Sequence, residues 1–476
     1  MEQLSGLDAS FLALETEHAP MHIAGVSILD PRRADGERLD SERLRAFIGS
    51  RLQANERLRQ RLAEVPLELG RPYWVADPEF DLDRHFERTQ LPAPGGWREL
   101  SALMAWELTN PLPRDRPLWQ MTLVEGLDTI PGVPAGAVAL IGKVHHAAID
   151  GLSGVEIMTA LLDPAPTPWS PAPAMDEEAP RADAELPSRF ALLKRSGRNL
   201  LRPATELGAV VGKAIGGLAR SGAAWGIERV TPPPMPFSAP RSVLNQPIGK
   251  DHVWGGATLS LDRIRAIKDR TEATVNDVVL AVCAGALRRD LEARDSLPAR
   301  PLVAMVPISV RDESQRGSMG NQVSAMLVQL ATDEADPLAR LTRIRQGAGR
   351  AKTHHQAVGA RTLTDSAQIV PFSLAGRAAR LYSRMELAEK HRPIFNLVIT
   401  NVPGPQLPLY IDGAPLLHHF GAAPIFDGMG LLLAIFSYNG ELTVGVCSSR
   451  EVMPDVHAFT RAIEESLDEL EAAVSA

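Results

Sequence analysis

Apolar positions along the chain follow two spacings, one of strand type and one of helix type. His22 to Leu29 is a short run rich in apolar and β-branched residues, as a strand requires. Behind Asp40 and Ser41, either of which can cap a helix, Leu44, Phe47, Ile48 and Leu52 recur at helical intervals. A second helix is predicted from about Trp97, with Leu100, Leu103, Met104 and Leu108 on one face, stopping before Pro111. Trp119 to Glu125 and Ala137 to Val144 read as strands, and the second is apolar throughout, which predicts cover on both faces. Further on, Leu261 to Thr271 and Val275 to Arg294 predict helices, and Leu302 to Val310 and Phe395 to Thr400 predict strands. Leu431 to Ser437 and Leu442 to Ser448 flank Asn439-Gly440, a pair that signals a tight hairpin. A last helix is expected from about Asp455 to Ala473.

The pattern breaks once. Asp163 to Pro187 is rich in Pro, Ala and acids and cannot build a core. A basic stretch follows, with Arg189, Lys194, Arg195, Arg198, Arg202, Lys213 and Arg220 set among apolar residues, and then Pro232-Pro233-Pro234. A chain of 476 residues is too long for one ordinary core. The expected organisation is a first domain over 1–162, a partly helical crossover linker over 163–250 and a second domain over 251–476. Strands and helices recur in both halves, so each is expected to be an α/β layered domain of similar build.

Composition narrows the function. Hydrophobic residues make up 45% and charged residues 23%, as in a globular protein, and a net charge of -8 argues against a dedicated nucleic-acid binder. The two cysteines, Cys283 and Cys447, sit in apolar runs and suggest reduced, buried thiols and a reducing cytosol. Met1 to Leu12 carries acids early and lacks the pattern of a secretory signal. No apolar run reaches the roughly 18 residues of a membrane span, so any contact with lipid is expected from the surface.

The strongest local feature is Lys143-Val144-His145-His146-Ala147-Ala148-Ile149-Asp150-Gly151-Leu152-Ser153-Gly154. An apolar strand ends on two consecutive histidines. Side chains alternate along a strand, so only one of the two can face a given cavity. A single positioned imidazole suffices for acyl transfer to an alcohol: it accepts the hydroxyl proton as the C–O bond forms and returns it to the leaving thiolate. The pair alone is weak evidence, because His354-His355 and His418-His419 occur in the same chain. A metal site built on His146 and Asp150 lacks a third ligand at a characteristic spacing.

The full run, His-His-x-x-x-Asp-Gly after a strand, resembles the signature of the coenzyme A-dependent acyltransferase superfamily, which includes chloramphenicol acetyltransferase and peptide-synthetase condensation domains. The rest of the chain resembles one branch, the bacterial wax ester synthase/diacylglycerol acyltransferase family. The likeness is carried by Leu7-Asp8-Ala9-Ser10-Phe11-Leu12 with Pro20-Met21-His22, by Arg116-Pro117-Leu118-Trp119, and by Thr274-Val275-Asn276-Asp277-Val278-Val279-Leu280. Val306-Pro307-Ile308-Ser309-Val310-Arg311 with Gly320-Asn321, and Thr400-Asn401-Val402-Pro403-Gly404-Pro405, continue it in order. One departure lies at Cys447-Ser448-Ser449-Arg450, where the family tends to carry an acid.

The resemblance implies two chloramphenicol-acetyltransferase-like domains with a substrate tunnel at their interface. It implies esterification of diacylglycerol or a long-chain alcohol by acyl-CoA, with His146 as general base and no acyl-enzyme. His145 would assist, Asp150 would hold the loop, paired to Arg61 or Arg59, and Gly151 would allow a tight approach. Asn276 and Asp277 would support the site, one of them as a helix N-cap, and Pro117, Leu118 and Trp119 would line the channel. No cofactor or metal is implied beyond the coenzyme A thioester as co-substrate. Peripheral contact with the inner membrane or a lipid droplet, through the basic segment, fits such substrates. Two other readings compete: a condensation-type transferase with an amine acceptor, and a non-catalytic lipid binder of the same fold.

Overall fold

The computed structural model describes residues 1–52, 55–66, 69–148, 161–170, 188, 192, 237–309, 323–358, 381, 384–385 and 390–476. Ile149, Asp150, Gly151, residues 152–160 (most of a helix expected from about Leu152 to Leu162), nearly all of the basic linker, and Val310, Arg311, Gly320 and Asn321 lie outside these residues.

The first half contains β1 (Glu2–Gln3), α1 (Gly6–Leu14), β2 (His22–Leu29), α2 (Ser41–Leu52), β3 (Gln60–Ala63) and β4 (Tyr73–Ala76). It continues with β5 (Phe86–Gln90), α3 (Trp97–Thr109), β6 (Trp119–Leu127) and β7 (Ala137–His145). The second half contains β8 (His252–Ser260), α4 (Leu261–Thr271), α5 (Val275–Ala293), β9 (Val303–Ser309), β10 (Val323–Gln329) and α6 (Pro337–Val358). It ends with β11 (Leu397–Pro403), β12 (Tyr410–Ile411), β13 (Ala414–Ala422), β14 (Leu431–Tyr438), β15 (Glu441–Ser449) and α7 (Val456–Ser475).

Local chemistry accounts for the element ends. Asp40 accepts the Arg43 N–H at 2.8 Å at the start of α2, and Asp455 accepts the Ala458 N–H at 2.9 Å at the start of α7. Asn439 and Gly440 both take positive φ, at 45° and 85°, as the tight turn between β14 and β15 demands.

Two six-stranded mixed sheets form the frame, in the orders β12-β13-β2-β7-β6-β5 and β10-β9-β11-β14-β15-β8. Both faces of β7 are covered: Ala139 and Ile141 join one apolar cluster with α3, and Val138 and Leu140 join another with α2. In the second half α5 is buried on nearly all sides from Val278 to Leu287, between α4, α6 and α7.

One strand crosses over. β13 lies in the second half of the sequence but pairs antiparallel with β2 of the first, Gly421 opposite Gly25. Its backbone meets the second sheet closely. A Cβ placed on Gly445 of β15 would sit 1.8 Å from the Gly421 carbonyl oxygen, so only glycine allows this approach.

Candidate active site

β7 runs straight into the histidine pair. His145 ends the strand, its N–H donating to the Leu118 carbonyl at 2.9 Å. The chain then tightens into a 3₁₀ turn over His146–Ala148, and the His146 N–H donates to the Met21 carbonyl at 2.7 Å. The turn sends the two imidazoles apart.

His146 lines a cavity of about 570 Å³ between the two sheets. β2, β6 and β7 supply one wall, β11 and β14 the other, and β13 joins them. The lining is almost wholly apolar. Met21 and, on β2, Ile23, Gly25 and Ser27 line it over a span of roughly 20 Å at strand rise. Gly25, Gly142 and Gly421 stand side by side on β2, β7 and β13 and keep the floor low.

The His146 ring stacks on Phe11 of α1, with centroids 3.6 Å apart and planes inclined by 16°. Its Nδ1 is buried and meets no partner outside its own main chain among the described residues. Burial pushes the imidazole down to about 4, with His145 adding to the shift and a contact with its own backbone opposing it. The ring is therefore neutral at any pH well above 4.

His145 points elsewhere. Its Nδ1 accepts the Ala147 N–H at 3.1 Å, so in the neutral ring the proton sits on Nε2, which lies 3.5 Å from Glu15 Oε2. Glu15 also accepts from Arg114. Burial alone would raise the Glu15 carboxyl, but His145 and Arg114 overcome it and hold the group at about 2. His22 stands opposite His145 across β2 and β7, accepts the Leu112 N–H at 3.3 Å, and is pushed down to about 3 by burial, with His145 and Lys143 adding to it.

Lys143, two residues earlier, is 3% exposed and Glu107 of α3 is 1% exposed, so their 2.7 Å contact is a buried ion pair. Lys143 Nζ also donates to the Glu107 carbonyl at 3.1 Å, while Thr122 donates to the other carboxylate oxygen at 2.9 Å. The strand bearing the histidines is thereby tied to the end of α3.

The other sequence candidates fall in several places. Trp119 lines the cavity, donates its ring N–H to the Leu58 carbonyl at 2.7 Å and stacks on His85 at 4.4 Å. Leu118 and Pro117 lie outside the lining: Leu118 is core and its carbonyl accepts from the His145 N–H, while the Pro117 carbonyl accepts from the Trp119 N–H. The N-cap of α5 is Thr274, not Asn276 or Asp277. Asp277 closes the cap from the third helical position, accepting from the Thr274 N–H at 2.9 Å and hydroxyl at 2.7 Å. Asn276 accepts from the Asn401 side chain at 3.2 Å and so braces β11, whose Thr400 and Val402 line the cavity. Arg61 donates to the Asp115 carbonyl at 2.7 Å and lies 3.7 Å from Asp77, and Arg59 lies over the Phe80 ring. Asp150, the acid expected to pair with one of them, is outside the described residues.

Sequence reasoning missed Glu15 and Arg114 and gave Lys143, the first residue of its strongest motif, no partner, because these roles depend on contacts across elements. It also treated His418-His419 as a chance pair. His419 on β13 is buried in the cavity wall, its Nδ1 3.0 Å from Ser27 Oγ, and burial pushes it down to about 4.

Comparison with known proteins follows the same lines. Residues 4–279 match the wax ester synthase/diacylglycerol acyltransferase catalytic domain, and residues 319–471 match the C-terminal domain of that family. A putative diacylglycerol O-acyltransferase of Mycobacterium tuberculosis is 35% identical over 472 residues, covering 99% of this chain and 90% of its own. The wax ester synthase/diacylglycerol acyltransferase of Marinobacter aquaeolei VT8 superposes with a TM-score of 0.68 at 28% identity, covering the whole of both chains. The starter condensation domain of rhizomide synthetase shares the fold, with a TM-score of 0.53 at 13% identity over 100% of this chain and 94% of its own. By sequence and by architecture, this chain is an acyltransferase that belongs to the wax ester synthase/diacylglycerol acyltransferase family.

Proposed function

We propose that the protein transfers a long-chain acyl group from a coenzyme A thioester to the hydroxyl of diacylglycerol or a long-chain alcohol. The observation that carries this reading is the neutral His146 imidazole in the wall of a long apolar cavity. The acceptor oxygen forms a bond to the thioester carbonyl carbon while His146 takes its proton. The C–S bond then breaks, and the same proton passes to the departing sulfur, so no acyl-enzyme forms. Burial keeps the base free of a proton, and the scarcity of water protects the thioester from hydrolysis.

Glu15 and Arg114 act through His145, whose Nδ1 holds the backbone of the turn that carries the base. In this reading Asp150 and Gly151 fix the loop that follows. Leu14 and Val402 line the cavity yet are exposed, as suits a mouth that takes apolar acceptors from a lipid surface. No helix among the described residues is long and apolar enough to cross a membrane.

The test is an acceptor panel with radiolabelled palmitoyl-CoA, scored for wax ester, triacylglycerol and amide, with His146→Ala alongside. Ester formation lost in the variant supports the reading. Ester formed at the wild-type rate by the folded variant removes it.

A further inference from the structure

A second cleft, of about 380 Å³, opens where the first turns of α3 and α7 meet the start of β8. Arg98 and Arg450 line it, are exposed, and among the described residues neither guanidinium meets an acid or a hydrogen-bond acceptor. The acid in the wall, Asp455, already serves as the N-cap of α7. The first residues of that 20-residue helix, Val456 and His457, line the same cleft. His457 is half-buried here and shifted below its ordinary value, first by burial, with Arg98 and Arg461 adding to the shift against Asp455.

This cleft adjoins the His146 cavity. His252 and Val253 line both the cleft and a constriction of about 10 Å³ beside Pro20 and His22. Ala423 and Pro424 line both that constriction and the main cavity. Shared lining residues thus link the three spaces in turn, from the two arginines to the cavity that holds His146.

An acyl-CoA has an apolar chain at one end and several phosphates at the other. The main cavity suits the chain, but Lys143 is its one Lys or Arg among the described lining residues, and that charge is committed to Glu107. The phosphates need cations elsewhere, and guanidinium groups match phosphate with two hydrogen bonds at once. We propose that the Arg98–Arg450 cleft holds the phosphorylated nucleotide end of the thioester, with the pantetheine arm passing the constriction once its side chains part. The inference rests on the proposed use of acyl-CoA.

The experiment compares palmitoyl-CoA with palmitoyl-pantetheine, which lacks the nucleotide, as donors for the full-length protein. The wild type is expected to show the lower KM for palmitoyl-CoA. In the Arg98→Glu/Arg450→Glu double variant that KM should rise on the order of tenfold, as when one charge-assisted contact is lost. The ratio of the two KM values should then approach unity, and the Arg98→Lys/Arg450→Lys variant should restore part of the preference. A double variant that keeps the wild-type ratio, or a wild type indifferent to the nucleotide, overturns the proposal. So does a variant that loses only its partition onto phosphatidylglycerol vesicles, which would give the arginines to a lipid headgroup. A wild type that uses neither donor defeats the proposed function instead.

Discussion

The imidazole of His146 lies flat against the ring of Phe11, with centroids 3.6 Å apart. The contact shields one face of the proposed base from water and sets its plane relative to the cavity. Because burial is the main cause of its low pKa, shielding and proton affinity are linked.

The first prediction concerns pH. A proposed base such as His146 works without its proton, so kcat/KM should be full above its folded pKa and fall as pH drops through about 4. Phe11→Ala wets the ring and should move that limb up toward the ordinary histidine value near 6.5. A pH–rate profile of the two proteins checks this, and a limb unmoved by the substitution would separate Phe11 from the titration.

A second prediction concerns Glu15, which touches neither cavity nor base but faces His145. Glu15→Gln removes the charge that orients the His145 ring. The turn carrying His146 should loosen, and kcat should fall by roughly tenfold, equivalent to about 1.4 kcal/mol of barrier, with KM for palmitoyl-CoA little changed. Steady-state kinetics distinguishes this from a binding defect, which would raise KM instead.

Lys143→Met should be costly for a different reason. It leaves the Glu107 carboxylate buried beside Thr122 without its cation. Removing one partner of a buried pair costs about 3–5 kcal/mol, whereas replacing both by apolar groups is often neutral. Denaturant unfolding of Lys143→Met and of Lys143→Met/Glu107→Met should therefore show the double variant as the more stable of the two.

The cavity floor offers a fourth. A Cβ built on Gly142 meets nothing within 4 Å, because it projects into open cavity. Gly142→Val should fill part of that space and leave the fold intact. The preferred donor should shift from palmitoyl-CoA toward shorter thioesters, measured as a chain-length profile of kcat/KM.

Much of this frame was legible in the residues. Leu261–Thr271 and His22–Leu29 take the spans expected of them, and Asn439-Gly440 forms the expected turn. These features depend on neighbours in sequence. α1 escaped notice because its nine residues are mostly apolar and show no polar face. β13 escaped because Ala414 to Ala422 does not alternate, and its partner strand lies almost 400 residues away. The same distance hid His419, whose bond to Ser27 exists only once β13 joins β2. Glu15 and Arg114 became visible only when α1 was folded against the turn after β7.

The crossover of β13 limits how the molecule can come apart. A fragment ending before Ala414 would present β2 with a bare row of amide and carbonyl groups, an invitation to stick to its copies. Synthesis from the ribosome must therefore pass Ala422 before the first sheet can be completed. Once that stitch is made, the halves are sewn together through the same strand that floors the cavity.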